Sequence, residues 1–129
     1  MPCITTKRVY DPIADNEDVR VLVDRLWPRG ISKQALKADH WLREVVPSDQ
    51  LRQWFNHDPN RWEEFRQRYA AELQDKPEAI NFLLELARER GLVLLFSARD
   101  LRCNQAVALQ QYLLSLTRET KGASRAHDR

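Results

Sequence analysis

Two short apolar runs, each ending abruptly in charge, constrain this chain more than any other feature. The first lies within Val19 to Gly30 (VRVLVDRLWPRG), a β-branched stretch that breaks into Asp24, Arg25, Trp27, Pro28, Arg29 and Gly30. The second is Leu92 to Asp100 (LVLLFSARD), a uniform apolar run closed by Ser97, Arg99 and Asp100. Uniformly apolar runs of this length suit strands covered on both faces, the pattern of parallel sheets with helices packed against them. In such sheets ligands settle beyond the carboxyl ends of the strands. If the two runs are parallel neighbours, their polar ends share one edge.

The rest of the chain fits that frame. Cys3 to Tyr10 (CITTKRVY) is rich in β-branched residues and reads as a strand, with a loop from Asp11 to Asp18. Val19 to Leu26 is the clearest strand, and Pro28 and Gly30 forbid its continuation. Ser32 caps a short helix to Leu36 or Lys37. Asp39 to Val46 (DHWLREVV) fits either a helical stripe or a third short strand, and Pro47 ends it. Ser48 caps a helix through Phe55. Asp58 followed by Pro59 starts another, along which Trp62, Phe65, Tyr69 and Leu73 recur at helical spacing. Pro77 opens a helix burying Ile80, Leu83, Leu84 and Ala87, and Gly91 supplies its left-handed cap. After Leu92 to Ala98 a last helix spans Asn104 to about Thr117. The order predicts a single α/β domain over 1–118, three-layered, with a small, mostly parallel sheet flanked by helices. Residues 119–129, poor in apolar side chains, are expected to form a disordered basic tail.

Charge and cysteines narrow the function classes. The formal excess of two positive charges falls in 117–129, so residues 1–116 are balanced. A nucleic-acid binder carries a broad basic face, which argues against that class without removing it. A local anion pocket needs only two or three placed cations. No apolar run approaches the roughly 18 residues that cross a bilayer, and MPCITTKRVY has no secretion-signal core. Cys3 and Cys103 are far apart and lack metal-type spacing, which suits a reducing cytoplasm. His40, His57 and His127 form no metal motif, and three glycines leave no phosphate-binding loop. No metal or cofactor is implied.

Several blocks together are similar to a known family. RVLVDRLWPRG, WL with a following PS, LRQWFNHDPNRWEEFRQRY, and LLFSARD with Asn104 and Ala106 resemble the YeaO-like family, small bacterial proteins classed as domain of unknown function 488. The resemblance covers most of residues 7 to 114. It implies a compact α/β fold in a cytoplasmic protein and carries no activity, because none is assigned to the family. The family pattern more often has histidine just before the asparagine of the last helix, where this chain has Cys103. A mechanism requiring an imidazole there is not supported.

The leading site combines Asp24 and Asp100, as groups that manage a proton, with Arg25, Arg29 and Arg99 as anion-holding forks. Trp27 would form the pocket wall, and Ser97 and Asn104 would orient the ligand near a helix N-terminus. The structural alternative is that these acids and arginines pair with one another to tie loops to the sheet. His57 beside Asp58 is a secondary candidate for proton transfer, though Asp58 is already explained as a cap. Cys103, following Arg99 and Arg102, is another, as a thiol of lowered pKa. Trp41, Trp54 and Trp62 read as packing. The functional expectation is an enzyme acting on a phosphorylated or other anionic small molecule. The rival is a non-catalytic module that binds nucleic acid or a protein partner with the same arginines and tryptophan. A third class is a thiol-dependent enzyme working through Cys103.

Overall fold

The computed structural model describes residues 3–14 and 18–127, with side chains through residue 118. Its sheet has four strands, all pairings parallel, in the order β1-β4-β2-β3. These are β1 (Ile4–Arg8), β2 (Val19–Leu22), β3 (His40–Trp41) and β4 (Leu92–Phe96). The two apolar runs are therefore direct neighbours at the centre, with Val19 opposite Leu92 and Leu22 opposite Leu95. β1 flanks β4, pairing Ile4 with Leu92 and Arg8 with Phe96. The chain is a single α/β domain.

Alternation along the central strands sorts side chains to two faces. Val19, Val21 and Val23 join Leu92, Leu94 and Phe96 in the larger core. That core is completed by α2 (Asp49–Phe55), α3 (Trp62–Leu73), α4 (Pro77–Glu89) and α5 (Gln105–His127). Leu83, Leu94, Leu109 and Leu113 are fully buried there, each contributing about 1.5–3 kcal/mol relative to exposure. Leu22, Val93 and Leu95 point to the opposite face. They meet Val9, Leu36 of the one-turn helix α1 (Lys33–Leu36), and the half-buried Trp27 and Trp41. One face is thus covered by long helices, the other by α1 and its flanking loops.

The punctuation residues act as their chemistry dictates. The Ser32 hydroxyl accepts from the Ala35 N–H, and the Ser48 hydroxyl from the Leu51 N–H. Asp58 accepts from the Asn60 N–H with Pro59 next, but it opens a 3₁₀ turn (Pro59–Arg61) that leads into α3 at Trp62. Gly91 has φ +98°, a backbone conformation that strains any L side chain, and a Cβ there would displace the Asp18 carboxylate 2.4 Å away. The ambiguous 39–46 segment becomes β3 followed by a 3₁₀ turn, Arg43–Val45. β2 is shorter than the expected Val19–Leu26. The Val23 N–H still reaches the Leu95 carbonyl at 3.0 Å, and from Asp24 the backbone leaves the ladder.

Arg20 is the unexpected member of the core. It is buried within β2, and its guanidinium donates to the carbonyls of Leu36 (2.7 Å) and Lys37 (3.3 Å) at the end of α1. A cation at a helix C-terminus satisfies orphan carbonyls. The α5 backbone continues past the expected end near Thr117, to His127. The expected disordered tail, 119–129, falls on residues whose side chains lie outside the described ones. Among the described residues no helix is long and apolar enough to cross a membrane.

Candidate functional site

β1, β2 and β4 run parallel and end side by side, so the residues just past their ends converge. Arg8 closes β1, Asp24 follows β2 by two positions, and Ser97 and Ala98 follow β4. A cleft of about 550 Å³ opens at this edge, within the size range of small-molecule sites. It brings together Asp24, Arg25, Trp27, Arg29, Ser97, Arg99 and His57 from the sequence-derived set. Asp100, Asn104 and Cys103 are not among its walls.

Asp24 is the buried acid of the cleft. It is 7% exposed, and its Oδ1 accepts from Gln105 Nε2 at 2.7 Å. Oδ2 is buried without a hydrogen-bond partner. Burial raises the carboxyl above its ordinary value, and the nearby Ser97 hydroxyl and N–H, with Gln105, only partly offset this. The loop carrying it is braced by two tryptophans. Trp41 Nε1 donates to the Asp24 carbonyl at 2.8 Å, and Trp27 meets Trp41 edge to face at 5.5 Å. Trp27 in turn donates to the Ile31 carbonyl at 2.7 Å. Trp27 is therefore both wall and brace, while Trp54 and Trp62 pack against the larger core.

Five arginines line the cleft: Arg8, Arg25, Arg29, Arg52 and Arg99. Arg8 is fastened, donating to the carbonyls of Ser97 and Ala98 at 3.0 Å each and lying over the Tyr10 ring. Arg52 pairs with Asp49, yet its Nε is buried without a partner. Arg25, Arg29 and Arg99 are exposed, and among the described residues none of the three makes an ion pair or a side-chain hydrogen bond. The acids and arginines of the sequence-derived cluster therefore do not tie one another down. Sequence reading missed Arg8, Tyr10, Arg52 and Gln105. Applying the strand-end rule to β1 as well would have found the first two. Arg52 arrives from α2 with no local signal.

Asp100 and Asn104 have local duties. Asp100 Oδ1 accepts from the N–H groups of Arg102 (2.9 Å) and Cys103 (3.0 Å), which hold its carboxyl below the ordinary value. Asn104, 3% exposed, accepts from the Val107 N–H at 2.9 Å and donates to the Asp100 carbonyl at 2.8 Å. This is an N-cap for α5 joined to the preceding turn. Among the described residues no cluster of His, Cys, Asp and Glu is placed to hold a metal ion.

Comparison with known proteins places the chain. Residues 3–128 match a family model described as the inactive DUF488-N3 subclade. The chain belongs to the YeaO-like DUF488 family. It is 42% identical over 113 residues to the uncharacterized protein YeaO of Escherichia coli, covering 88% of this chain and 98% of that protein. It is 36% identical over 110 residues to the uncharacterized protein Rv3073c of Mycobacterium tuberculosis, covering 85% and 92%. The same identity and coverage hold for the uncharacterized protein Mb3100c of Mycobacterium bovis. No solved structure matches the chain at a significant level.

A second cavity of about 200 Å³ adjoins the cleft, sharing Pro47, Arg52, His57, Ala98 and Gln105 with it. Cys103 and Asn104 belong here, beside Phe55 and Phe65. The Cys103 thiol is pushed above its ordinary value by burial, then by Asp100, against a weaker opposing influence of Arg102. The lowered thiol pKa expected from its neighbouring arginines is thus reversed, because the carboxylate is close and the site is partly dry. His57 sits exposed at φ +54°, just after Asn56 at φ +48°.

Proposed function

We propose that this protein binds a small phosphorylated or otherwise anionic molecule in the strand-end cleft and holds it without turning it over, in a cytoplasm where Cys3 and Cys103 stay reduced. One observation carries the reading: Arg25, Arg29 and Arg99 converge on one cleft without an ion pair or a side-chain hydrogen bond among the described residues, Asp49 acting on Arg25 only from a distance. Unpaired guanidinium forks at the ends of parallel strands suit oxyanions. The arginine set is confined to a cleft, which favours a small ligand over a nucleic-acid track.

Binding is preferred to catalysis on chemical grounds. The Cys103 thiol is disfavoured as a thiolate and Asp100 is occupied by two backbone donors. The family description, an inactive subclade, agrees with this preference. The enzyme reading retains one supporting observation, the raised pKa of Asp24, which suits a general acid.

The test is calorimetric titration with methyl phosphate and pyrophosphate, against wild type and Arg25→Ala, Arg29→Ala and Arg99→Ala. An exposed guanidinium about 4 Å from an anion contributes about 1 kcal/mol, so each variant should lose about fivefold in affinity. Unchanged affinity in all three variants would sink the reading. Tight binding of oligonucleotides that collapses with added salt would assign the arginines to nucleic acid instead. Steady phosphate release from phosphate esters, abolished by Asp24→Asn, would restore the enzyme.

A further inference from the structure

The side cavity differs in chemistry from the cleft it adjoins. Of the five arginines that line the cleft, only Arg52 lines the side cavity as well. Its walls sort by burial. Gln53, Asn56 and His57 are exposed, whereas Pro47, Phe55 and Phe65 are buried and Ala98 and Cys103 half-buried. The apolar groups therefore lie beneath a polar mouth. Phe55 and Phe65 stack on each other with ring centroids 4.3 Å apart. Asn104, the buried polar residue of the walls, has both ends of its amide engaged in the turn that starts α5, so the interior asks little of a ligand in hydrogen bonds.

Size and position then specify what fits. A volume of about 200 Å³ exceeds the roughly 150 Å³ of an engineered apolar cavity that takes up benzene, so one six-membered ring is accommodated. The rings of Phe55 and Phe65 offer such a guest stacked or edge-to-face contact beyond simple burial. Cys103 adds a small apolar wall, because burial and then Asp100 keep its thiol protonated. Pro47, Arg52, His57, Ala98 and Gln105 line both spaces, so a group seated here lies next to the arginine cleft. A charged head in the cleft and a ring in the side cavity can therefore belong to one molecule.

We propose that the ligand is a small aryl phosphate, its phosphate held in the strand-end cleft and its aromatic ring seated in the side cavity against Phe55, Phe65, Pro47 and Cys103. This rests on the anion-binding reading above and adds the part of the molecule that reading leaves open. The arginines fix the head, and the side cavity selects the group esterified to it.

Calorimetric titration of wild type with methyl, phenyl and n-hexyl phosphate tests it, hexyl having as many carbons as phenyl and no ring. Phenyl phosphate should bind about tenfold or more tightly than methyl phosphate, since a tenfold ratio needs about 55 Å² of apolar burial, less than one buried aromatic side chain provides. Hexyl phosphate, with a flexible chain to order and no ring contacts, should bind about threefold or more weakly than phenyl. Cys103 reports where the ring sits. Phenyl phosphate at about ten times its Kd should slow maleimide modification of Cys103 about fivefold or more, leaving Cys3 unaffected, and methyl phosphate should protect neither thiol. Cys103→Phe fills the cavity and should narrow the phenyl-to-methyl ratio to about threefold or less, with its thermal melt confirming the fold. Equal affinity for phenyl and methyl phosphate would overturn the aryl assignment and leave the anion reading standing. Hexyl phosphate binding as tightly as phenyl would overturn the ring in favour of any apolar chain. Tight phenyl phosphate that leaves Cys103 unprotected would remove the ring from the side cavity. Failure of all three esters to bind would overturn the anion reading itself, and this inference with it.

Discussion

Asn104 offers the clearest test of whether a residue at the cleft border serves the fold or the ligand. Its side chain is 3% exposed and both ends of its amide are used, by the Val107 N–H and the Asp100 carbonyl. Asn104→Ala removes an N-cap, which costs about 1 kcal/mol. It also leaves the Asp100 carbonyl without its donor, about 1 kcal/mol more. A loss of about 2 kcal/mol in a domain of this size lowers Tm by about 6–10 °C. Asn104→Ser keeps an acceptor for the cap but has no amide for Asp100, so about half the loss should remain. The assay is a thermal melt of the three proteins beside titration with methyl phosphate. The reasoning requires the order wild type, Ser, Ala in Tm, with methyl phosphate affinity within about threefold throughout. An unchanged Tm in Asn104→Ala together with a tenfold loss of affinity would refute it. Asn104 would then be a ligand contact.

Two further outcomes follow from protonation. The Asp24 pKa is raised on folding, so the folded protein holds this proton to higher pH than the unfolded chain does. Its ionisation therefore destabilises the fold at neutral pH, and that penalty is relieved as pH falls through the folded-state value toward the ordinary one. Asp24→Asn should melt above wild type at pH 7, and the gap should close on acidification; a gap that widens would reverse the sign. The two thiols should also separate kinetically. Cys3 is exposed, whereas Cys103 is half-buried with a raised pKa. At pH 7 a maleimide should modify Cys3 about tenfold or more faster, read by mass spectrometry, and equal rates would contradict the burial argument.

Much of the fold was legible because its punctuation is local. Ser32, Ser48, Pro77 and Gly91 set element boundaries through their own hydrogen bonds or backbone limits, and these need no tertiary knowledge. The 39–46 segment was not legible for the opposite reason. His40 and Trp41 become a strand because they pair with Val21 and Leu22, and Trp41 is further held by the Asp24 carbonyl. Arg20 misleads in the same way. Nothing in VRVLV announces that its arginine will be buried under the carbonyls of Leu36 and Lys37. At the cleft, the residues following the two apolar runs were found because a strand end is a sequence feature. Arg52 was not, because its place depends on how α2 packs.

The cleft also shows why an acid among arginines need not imply turnover. Catalysis of group transfer asks for a nucleophile or an activated water beside a base with a free lone pair. Cys103 opens into the adjoining cavity with its thiol favoured over thiolate, and Asp100 spends its carboxylate on the turn that starts α5. His57 lines both cavities from an exposed turn. What remains in the cleft is Arg25, Arg29 and Arg99, none in an ion pair, and one buried carboxyl, Asp24, held by Gln105 and flanked by Ser97. Guanidinium groups fix where an anion sits but discriminate little among phosphate esters, since every ester offers the same oxygens. Losing any one of these arginines should therefore weaken all phosphate esters alike.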